Sequence, residues 1–490
     1  MDYNVVVVVL DALREDRVGA CGGRPLTPNI DSIATEGTTF ENAFTVINTT
    51  DPAMTSLHTG LHPHSHGILN HGDRVTQDEK QQIEAINTLP EILGDHGYET
   101  LKFGRPLGRW HKRGFDRYPT PTSNSLKVQI YDRLERIHPR FAKGASLVYG
   151  LFEPVVDTVE DRREKTEGRV GTDIIDRFLA ETENSSSHYS LLHLMDTHGP
   201  YNPDPDVVDE LLDTYDYDGR PVTEVVNELG EDTITGNNLK NILNKEDERE
   251  QLTTGRIKAR YDACVREVDK KIGELVRGLR ESDGLQDTIL IILSDHGESL
   301  TEHGIYFDHH GLYDETTKIP LMIYHPDWDP CTFEDFVQTT DIFPTILDCL
   351  EISIDRELDG NSLMPFLTAD RPVSRSTVFA EESHTQRRRM IRTMKWKYIH
   401  LIEDNPVCRY CGVIHAEEEE LYDLKADPNE ETNLLARHSD PKINDIKEEL
   451  RVKEEEFRAG LNSDTNRSNQ NVRYEDEDEI LELLEDLGYK

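Results

Sequence analysis

The sequence predicts an α/β protein with a largely parallel central sheet, because buried strands and a long amphipathic helix follow one another. Residues 5–10 and 288–293 are unbroken apolar and β-branched runs, the composition of strands buried on both faces. Before the second run, apolar residues recur at spacings of three and four, which indicates one face of a helix. These residues are Ile257, Tyr261, Val265, Val268, Ile272, Leu275 and Leu279.

Both predicted strands lead directly into a carboxylate. Asp11 follows the first strand, and Asp295, with His296 beside it, follows the second. The carboxyl ends of parallel strands are where open α/β sheets assemble their ligands, and carboxylates beside an imidazole suit a divalent cation. A solvated turn is the alternative, since Asp, Gly and Ser are also turn residues.

A short helix is predicted near Pro52, with Gly60 as its stop. Thr50 would then lie at the helix N-terminus, close to the positive end of the dipole, where a hydroxyl is well placed to attack an anionic ester. The commoner role of such a Thr is an ordinary cap. A histidine-rich loop follows, and we expect its members mostly at the surface. They are His62, His64, His66 and His71.

The remaining chain supplies further strands and a cation-rich loop. Residues 88–91 form a capping box, and strands are predicted at 98–103, 191–195 and 319–323. The loop at 104–116 concentrates cations in an acidic protein, so it either balances the surface charge or meets an anionic substrate. Residues 120–170 and 203–250 are predicted to be charged insertions of helix and loop. From about residue 376, short strands predict an antiparallel sheet, followed by a charged helix near 441–458.

Cysteine and charge content limit the classes of function. The chain has 96 acidic and 54 basic residues, a formal net charge of −42, which argues against nucleic acid or an anionic membrane as the main partner. We find no secretory signal or membrane span, and six scattered cysteines do not suggest a disulfide framework, so we expect a cytoplasmic protein. Cys408 and Cys411 form a lone CxxC near His415; we interpret them as incidental thiols rather than a structural zinc site.

The even spread of acidic residues, with few lysines, also suggests a salt-accumulating, halophilic source. If so, the folded signal in circular dichroism should be lost when salt is removed, because the acidic side chains then repel one another unscreened. Full stability in low salt would contradict this hypothesis.

Several motifs, in this order, resemble the sulfatase family of the alkaline phosphatase superfamily over residues 3 to about 437. Each motif alone is weak, but their order is specific. Besides the strand ending at Asp11, they are Thr50-Asp51-Pro52, Asp196-Thr197-His198-Gly199-Pro200-Tyr201, Ser294-Asp295-His296-Gly297-Glu298, Leu312-Tyr313-Asp314-Glu315, Asp341-Ile342-Phe343-Pro344-Thr345, Trp396-Lys397-Tyr398-Ile399 and Leu421-Tyr422-Asp423-Leu424.

The resemblance implies a fold and a division of the chain. The fold would be a doubly wound α/β fold with a mixed, mostly parallel central sheet, as in alkaline phosphatase, and a small C-terminal α+β subdomain. We expect the catalytic domain over residues 1–375, the subdomain with a four-stranded antiparallel sheet over 376–460, and an acidic, mobile or loosely docked tail over 461–490.

The nucleophile departs from the family pattern. Family sulfatases carry Cys or Ser followed by x-Pro-x-Arg, and that residue is oxidised to formylglycine; this chain has Thr50 and, in place of the Arg, Met54. Oxidation of Thr would give a ketone instead of an aldehyde. We therefore expect no formylglycine, and Thr50 would attack through its own hydroxyl, activated by a metal.

The cation site also departs from the family pattern, because Ala12 stands where a second Asp usually follows the first. The candidate ligands that remain without this Asp resemble the single-zinc centre of phosphoethanolamine transferases. A His ligand favours Zn²⁺ or Mn²⁺, with Ca²⁺ as the alternative. The implied ligands of this one divalent ion are Asp11, Thr50, Asp295 and His296.

The resemblance further implies contacts to a small anionic ester. Arg105 lies at the sequence position expected for the Lys of the family's Gly-Lys-Trp-His segment. His111 instead ends the segment Gly108-Arg109-Trp110-His111, whose residue types match that motif better. His198 and His310 would contact the anion or protonate the leaving group, with His309 as the less favoured counterpart of His310. We expect a metal-dependent hydrolase of sulfate or phosphate esters, including phosphodiesters. The alternatives are a phosphoryl- or phosphoethanolamine-type transferase, and an inactive binding protein of this fold.

Overall fold

The structure, a computed structural model, describes residues 3–105, 107–118, 170–183, 185, 187–245, 251–367, 375–403, 407–415, 417–436 and 440–461. The predicted insertion at 120–170 lies outside the described residues except for Val170, and so does the predicted tail from residue 462 onward. Residues 246–250, the end of the other predicted insertion, also lie outside them.

Seven of the described strands form one mixed sheet with the spatial order β3-β4-β1-β5-β6-β2-β7. β1 pairs in parallel with β4 on one side and β5 on the other, which confirms that the three apolar runs are parallel neighbours. β6 runs antiparallel to both of its neighbours. The strands are β1 (Asn4–Leu10), β2 (Thr38–Phe44), β3 (Glu99–Gly104), β4 (His188–Leu194), β5 (Thr288–Leu293), β6 (Leu321–Tyr324) and β7 (Cys331–Gln338).

The central strands are apolar throughout because both of their faces are covered. Alternate side chains of a strand point to opposite faces of the sheet. Val6 and Val8 accordingly enter one apolar cluster together with the long helix over 254–281, whereas Val5, Val7 and Val9 enter a second cluster on the other side. This two-sided burial is the arrangement that the unbroken apolar runs predicted.

Helices cover the sheet. The long helix α10 carries the predicted apolar face, and its residues Ile257, Tyr261 and Val265 are buried. No helix within the described ranges combines the length and the apolar character needed to cross a membrane. The helices are α1 (Pro28–Ala34), α2 (Thr50–Thr59), α3 (Pro63–His66), α4 (Gln77–Glu84), α5 (Leu89–Asp95), α6 (Val170–Thr182), α7 (Pro205–Thr214), α8 (Val222–Leu229), α9 (Ile234–Lys245), α10 (Thr254–Glu281), α11 (Asp314–Thr317), α12 (Ile342–Cys349), α13 (Met364–Leu367) and α14 (Pro441–Gly460).

The C-terminal part contains the expected four-stranded antiparallel sheet, with the order β11-β10-β9-β8. The buried Lys397 ties it to the first part of the chain, because its Nζ lies 2.6 Å from Asp314 Oδ1. Within the C-terminal part, the same Nζ lies 2.8 Å from Glu430 Oε1. Its strands are β8 (Val378–Glu382), β9 (Arg388–Arg392), β10 (Trp396–Leu401) and β11 (Glu419–Asp423).

Gly60, which ends α2, should not tolerate a side chain. Its backbone is left-handed, with φ of 68°, and an added Cβ would lie 2.9 Å from Phe343 Cδ1. We expect Gly60→Ala to lower the free energy of unfolding by about 1–2 kcal/mol, measured by urea denaturation.

Gly94, inside α5, is the matched control, because an added Cβ there meets no atom within 4 Å. Gly94→Ala should stabilise the protein slightly, by about 0.5–1 kcal/mol, since Gly is unfavourable inside a helix. Equal effects of the two substitutions would contradict this account of Gly60.

Candidate active site

The predicted cation ligands come together at the carboxyl edge of the sheet. Candidate ligand atoms of Asp11, Asp295 and His296 all lie within 4.8 Å of one another. Asp11 follows β1 and Asp295 follows β5, so the parallel pairing of these strands places both carboxylates side by side. Thr50, the first residue of α2, reaches the same point, with its Oγ1 3.2 Å from His296 Nε2.

The atoms of this cluster fit a divalent cation. Asp11 Oδ1 and Asp295 Oδ2 are buried, and neither has a hydrogen-bond partner among the described residues. A buried carboxylate oxygen without a partner is costly, and a cation satisfies it. His296 Nε2 lies 3.5 Å from Asp295 Oδ2 and 4.0 Å from Asp11 Oδ1, so oxygen and nitrogen donors face a common centre. The structure thus brings together the residues that the sequence analysis named as ligands, and their binding of a cation stays a prediction.

The two carboxylates have opposite electrostatic environments. Burial disfavours the charge of Asp11, but the hydrogen bond from His193 and the nearby imidazoles lower its pKa below the usual range. Burial raises the pKa of Asp295, and the charge of Asp11 raises it further. Two adjacent carboxylates can both remain ionised when a cation lies between them.

His193 is a site residue that the sequence reasoning missed. Its Nε2 lies 2.9 Å from Asp11 Oδ2, and both side chains are fully buried. β4 places it there because Val9, two residues before Asp11, is the register partner of His193. The available signal was a histidine inside an otherwise apolar strand. An imidazole that fixes one oxygen of a carboxylate orients the other oxygen, which is how surrounding residues support a metal ligand.

Asp51 forms a second buried cluster, next to Thr50. His71 Nδ1 lies 2.8 Å from Asp51 Oδ2, and His111 Nε2 lies 3.2 Å from Asp51 Oδ1. Although burial disfavours the imidazolium, the Asp51 carboxylate raises the pKa of His71. These contacts hold the first turn of α2 in place. The buried His111 ring contacts Asp51, and its contact with the ester stays a prediction.

The histidine-rich loop is not mostly at the surface, as the sequence suggested. Of its four histidines, only His64 is exposed. His66 Nε2 lies 2.9 Å from Ser56 Oγ, and His71 binds Asp51 as described. The prediction was wrong because polar side chains of α2 lie underneath the loop and provide partners that the loop sequence alone does not reveal.

His198, Arg105 and His309 border the predicted cation site. His198 follows β4 and Arg105 follows β3, so both lie at the same edge of the sheet. Burial lowers the pKa of His198 and outweighs the charge of Asp11, which raises it; the charges of His296 and Arg105 lower it further. The His309 ring centroid lies 4.4 Å from that of His296 and 6.4 Å from that of His198.

His310 lies in different surroundings from those predicted. Its Nε2 is 3.1 Å from His415 Nε2 and 3.9 Å from Cys411 Sγ, and its Nδ1 is 3.3 Å from Asp308 Oδ1. It is therefore His309, the less favoured of the two in the sequence analysis, that faces His296. Neighbouring residues in an extended loop point in opposite directions, and the sequence did not reveal which one faces the site.

Glu302 and Arg14 connect the two loops that carry the carboxylates. Arg14 Nη1 lies 2.9 Å from Glu302 Oε1, and Glu302 Oε2 also accepts hydrogen bonds from the backbone N–H groups of Leu300 and Thr301. Burial opposes the charge of Glu302, but Arg14 and the backbone N–H groups of Thr301 and Glu302 outweigh it and lower the pKa of Glu302 to about 2.

The pH dependence of stability follows from that shift. An unfolded Glu titrates near roughly pH 4.3, so the ion pair of Glu302 with Arg14 stabilises the protein fully above this pH. The stabilisation is lost as the pH falls towards about 2, because Glu302 then becomes protonated in the folded protein as well. Urea unfolding should therefore show Glu302→Gln less stable than the original protein at pH 7, with a difference that shrinks by pH 3.5. A difference that does not change with pH would contradict the assignment.

Comparisons with known proteins agree with this architecture. The Sulfatase family model matches residues 3–352, and the family model for N-sulphoglucosamine sulphohydrolase, C-terminal, matches residues 301–459. An arylsulfatase from Clostridium perfringens (strain 13 / Type A) is 25% identical over 496 residues, covering 95% of this chain and 97% of that protein. A Delta 4,5-hexuronate-2-O-sulfatase from Bacteroides thetaiotaomicron is 23% identical over 469 residues, covering 92% of this chain and 87% of that protein.

Solved structures share the fold. The phosphonate monoester hydrolase of Agrobacterium radiobacter has a TM-score of 0.67 at 19% identity, covering 96% of this chain and 100% of that chain. A 2-O GAG sulfatase has a TM-score of 0.64 at 21% identity, covering 95% of this chain and 93% of that chain. The chain belongs to the sulfatase family of sulfuric ester hydrolases, as the sequence motifs implied.

Proposed function

We propose that this member of the sulfatase family is a cation-dependent ester hydrolase with Thr50 as its nucleophile. The observation that carries the proposal is the position of Thr50 Oγ1, 3.2 Å from His296 Nε2, at the start of a ten-residue helix and beside two carboxylates with unpartnered oxygens. No oxidised side chain is required, because Thr50 provides a hydroxyl at the position where family sulfatases carry formylglycine.

Asp11, Asp295, His296 and Thr50 would hold the divalent cation, with Zn²⁺ or Mn²⁺ favoured by the His ligand. When bound, such an ion lowers the pKa of a coordinated hydroxyl and neutralises negative charge on an ester. His193 keeps Asp11 oriented, since its Nε2 lies 2.9 Å from Asp11 Oδ2. The N-terminal end of α2 adds the positive end of the helix dipole to the place where the anionic ester must lie.

The reaction would proceed in two displacements. In the first, Thr50 Oγ1 forms a bond to sulfur or phosphorus, and the bond to the leaving alcohol breaks. Thr50 loses its hydroxyl proton and the leaving oxygen gains one, so the number of protons is unchanged. His198 and Arg105, which follow β4 and β3, would contact the anion, and His198 could instead protonate the leaving group. In the second, water bonds to sulfur or phosphorus, the bond to Thr50 Oγ1 breaks, one proton of the water restores the Thr50 hydroxyl, and the sulfate or phosphate product leaves. His309, whose ring centroid lies 4.4 Å from that of His296, would orient that water.

Thr50 also affects the choice of ester. A formylglycine hydrate expels sulfate by re-forming its aldehyde, whereas a Thr ester offers no such route and depends on water. The transition state of phosphoryl transfer gathers more negative charge on its non-bridging oxygens and gains more from a cation. We therefore expect higher activity on phosphate diesters or phosphonate esters than on aryl sulfates. Two proteins with this fold are phosphonate monoester hydrolases, from Agrobacterium radiobacter and Silicibacter pomeroyi.

The test is a substrate screen with aryl sulfate, phosphate monoester, phosphate diester and phosphonate ester, each with Zn²⁺, Mn²⁺ or Ca²⁺ in high salt. We expect kcat/KM to be highest for a diester or a phosphonate ester with Zn²⁺ or Mn²⁺, and to vanish after chelation. Faster turnover of aryl sulfates would overturn the predicted preference. Turnover that persists without any divalent cation would overturn the mechanism.

A further inference from the structure

Four side chains next to the active site converge on one point without taking part in the proposed reaction. Cys408, Cys411, His310 and His415 place their sulfur and nitrogen atoms within 4.8 Å of one another. His310 Nε2 lies 3.1 Å from His415 Nε2, and Cys411 Sγ is in close contact with His415 Nε2. Three of the four residues are buried, and both cysteines are free thiols.

The backbone around the cysteines forms a tight turn that presents both sulfurs to one side. Cys408 N donates to Val413 O at 2.9 Å, and Gly412 N donates to Cys408 O at 3.0 Å. Tyr410 N points at Cys408 Sγ, at 3.4 Å. Gly412, directly after the second cysteine, has a left-handed φ of 70° and lets the chain turn back. Backbone N–H groups directed at sulfur favour the thiolate form that binds a metal.

We propose that these residues form a second metal site, a four-coordinate Cys₂His₂ zinc site separate from the catalytic cation. Two thiolates and two imidazoles complete a tetrahedral shell and leave no open position, which is the pattern of structural zinc. Asp308 supports it, because its Oδ1 lies 3.3 Å from His310 Nδ1, and a carboxylate on the second nitrogen is the usual support of a zinc-bound histidine. Zinc is favoured over Mg²⁺ or Ca²⁺, which take oxygen ligands.

The site would join two distant parts of the chain. His310 belongs to the loop before α11, whereas the other ligands lie in residues 408–415, after β10. His309, whose ring faces His296, precedes His310 directly, so an ion on His310 would fix the loop that carries His309. The zinc site therefore has a positioning role. It does not depend on the proposed reaction, because Thr50 and Asp11 form their side-chain hydrogen bonds with His296 and His193, which are not among its ligands.

Cobalt substitution distinguishes the two cation sites. When Co²⁺ replaces Zn²⁺ in the reduced, full-length protein, only a thiolate ligand produces sulfur-to-cobalt charge-transfer absorption. We expect this absorption in the original protein and in Asp295→Ala, and its loss in the double variant Cys408→Ser/Cys411→Ser. Bound zinc, measured by mass spectrometry, should fall by one equivalent per chain in the double variant. Cys331→Ser, at an exposed thiol elsewhere, is the control and should change neither quantity.

The absorption of the Co²⁺-substituted original protein tests the zinc site by itself, so the test holds even if the double variant does not fold. Folded, reduced protein without any sulfur-to-cobalt absorption would overturn the zinc site. A disulfide between Cys408 and Cys411 in freshly purified protein would also overturn it and indicate a redox pair. Absorption that survives in a folded double variant would show that other thiols bind the metal.

Discussion

Replacing Thr50 with Ala should abolish turnover while the protein remains folded. The Thr50 hydroxyl is the nucleophile of the proposed reaction, and its Oγ1 lies 3.2 Å from His296 Nε2 at the start of α2. Removal of a covalent nucleophile commonly reduces turnover by about a thousandfold or more. The measurement is kcat/KM on the best ester of the substrate screen, together with thermal unfolding to show that the fold is kept.

Two further variants sharpen this test. Thr50→Ser keeps a hydroxyl and should retain part of the activity. Thr49→Ala makes the same chemical change one residue earlier; the Thr49 side chain makes no capping hydrogen bond, so activity should persist. Ester hydrolysis that survives in Thr50→Ala would place the nucleophile elsewhere.

Asp295→Ala should remove both the bound catalytic cation and the activity. Asp295 supplies one of the two buried carboxylates at the site, and its Oδ2 has no partner in the described residues that could replace a cation. Loss of one carboxylate from a four-ligand set typically lowers metal affinity by orders of magnitude. Metal analysis of the dialysed protein and kcat/KM on the same ester are the two measurements.

Asp269→Asn is the control for that variant. Asp269 is also a buried carboxylate, but it accepts hydrogen bonds from the backbone of Asn29 and Ile30, on another part of the fold. Its replacement should leave the metal content and the turnover unchanged even if stability falls. Identical metal content in the original protein and in Asp295→Ala would show that the cation binds elsewhere.

The fold was predictable because its signals are local. The apolar runs of β1 and β5 and the spacing along α10 each lie within one stretch of sequence and directly reflect burial. The same holds for Asp11 and Asp295, which follow those strands. The antiparallel direction of β6 was not predictable from its sequence, since a short buried strand has the same composition in either direction.

The environment of the site was less predictable because its contacts connect distant segments. His193 meets Asp11, and His71 and His111 meet Asp51, across separations that no periodicity encodes. The CxxC at 408–411 looked incidental for the same reason. One of its companions, His310, lies about a hundred residues earlier in the chain and reaches it only in the folded protein.

Ala12 stands where family sulfatases usually carry a second acidic ligand, and its backbone is left-handed, with φ of 58°. This conformation costs an Ala residue roughly 1–2 kcal/mol, whereas Asp and Asn enter it more readily. Ala12 N nevertheless donates to Asp295 Oδ1 at 3.2 Å. The backbone of this turn therefore orients the Asp295 carboxylate, and it does so without a side chain at residue 12. In the proposed site, Ala12 would remove one oxygen ligand without changing the backbone, and this single side chain would shift the preferred ion from Ca²⁺ towards Zn²⁺ or Mn²⁺.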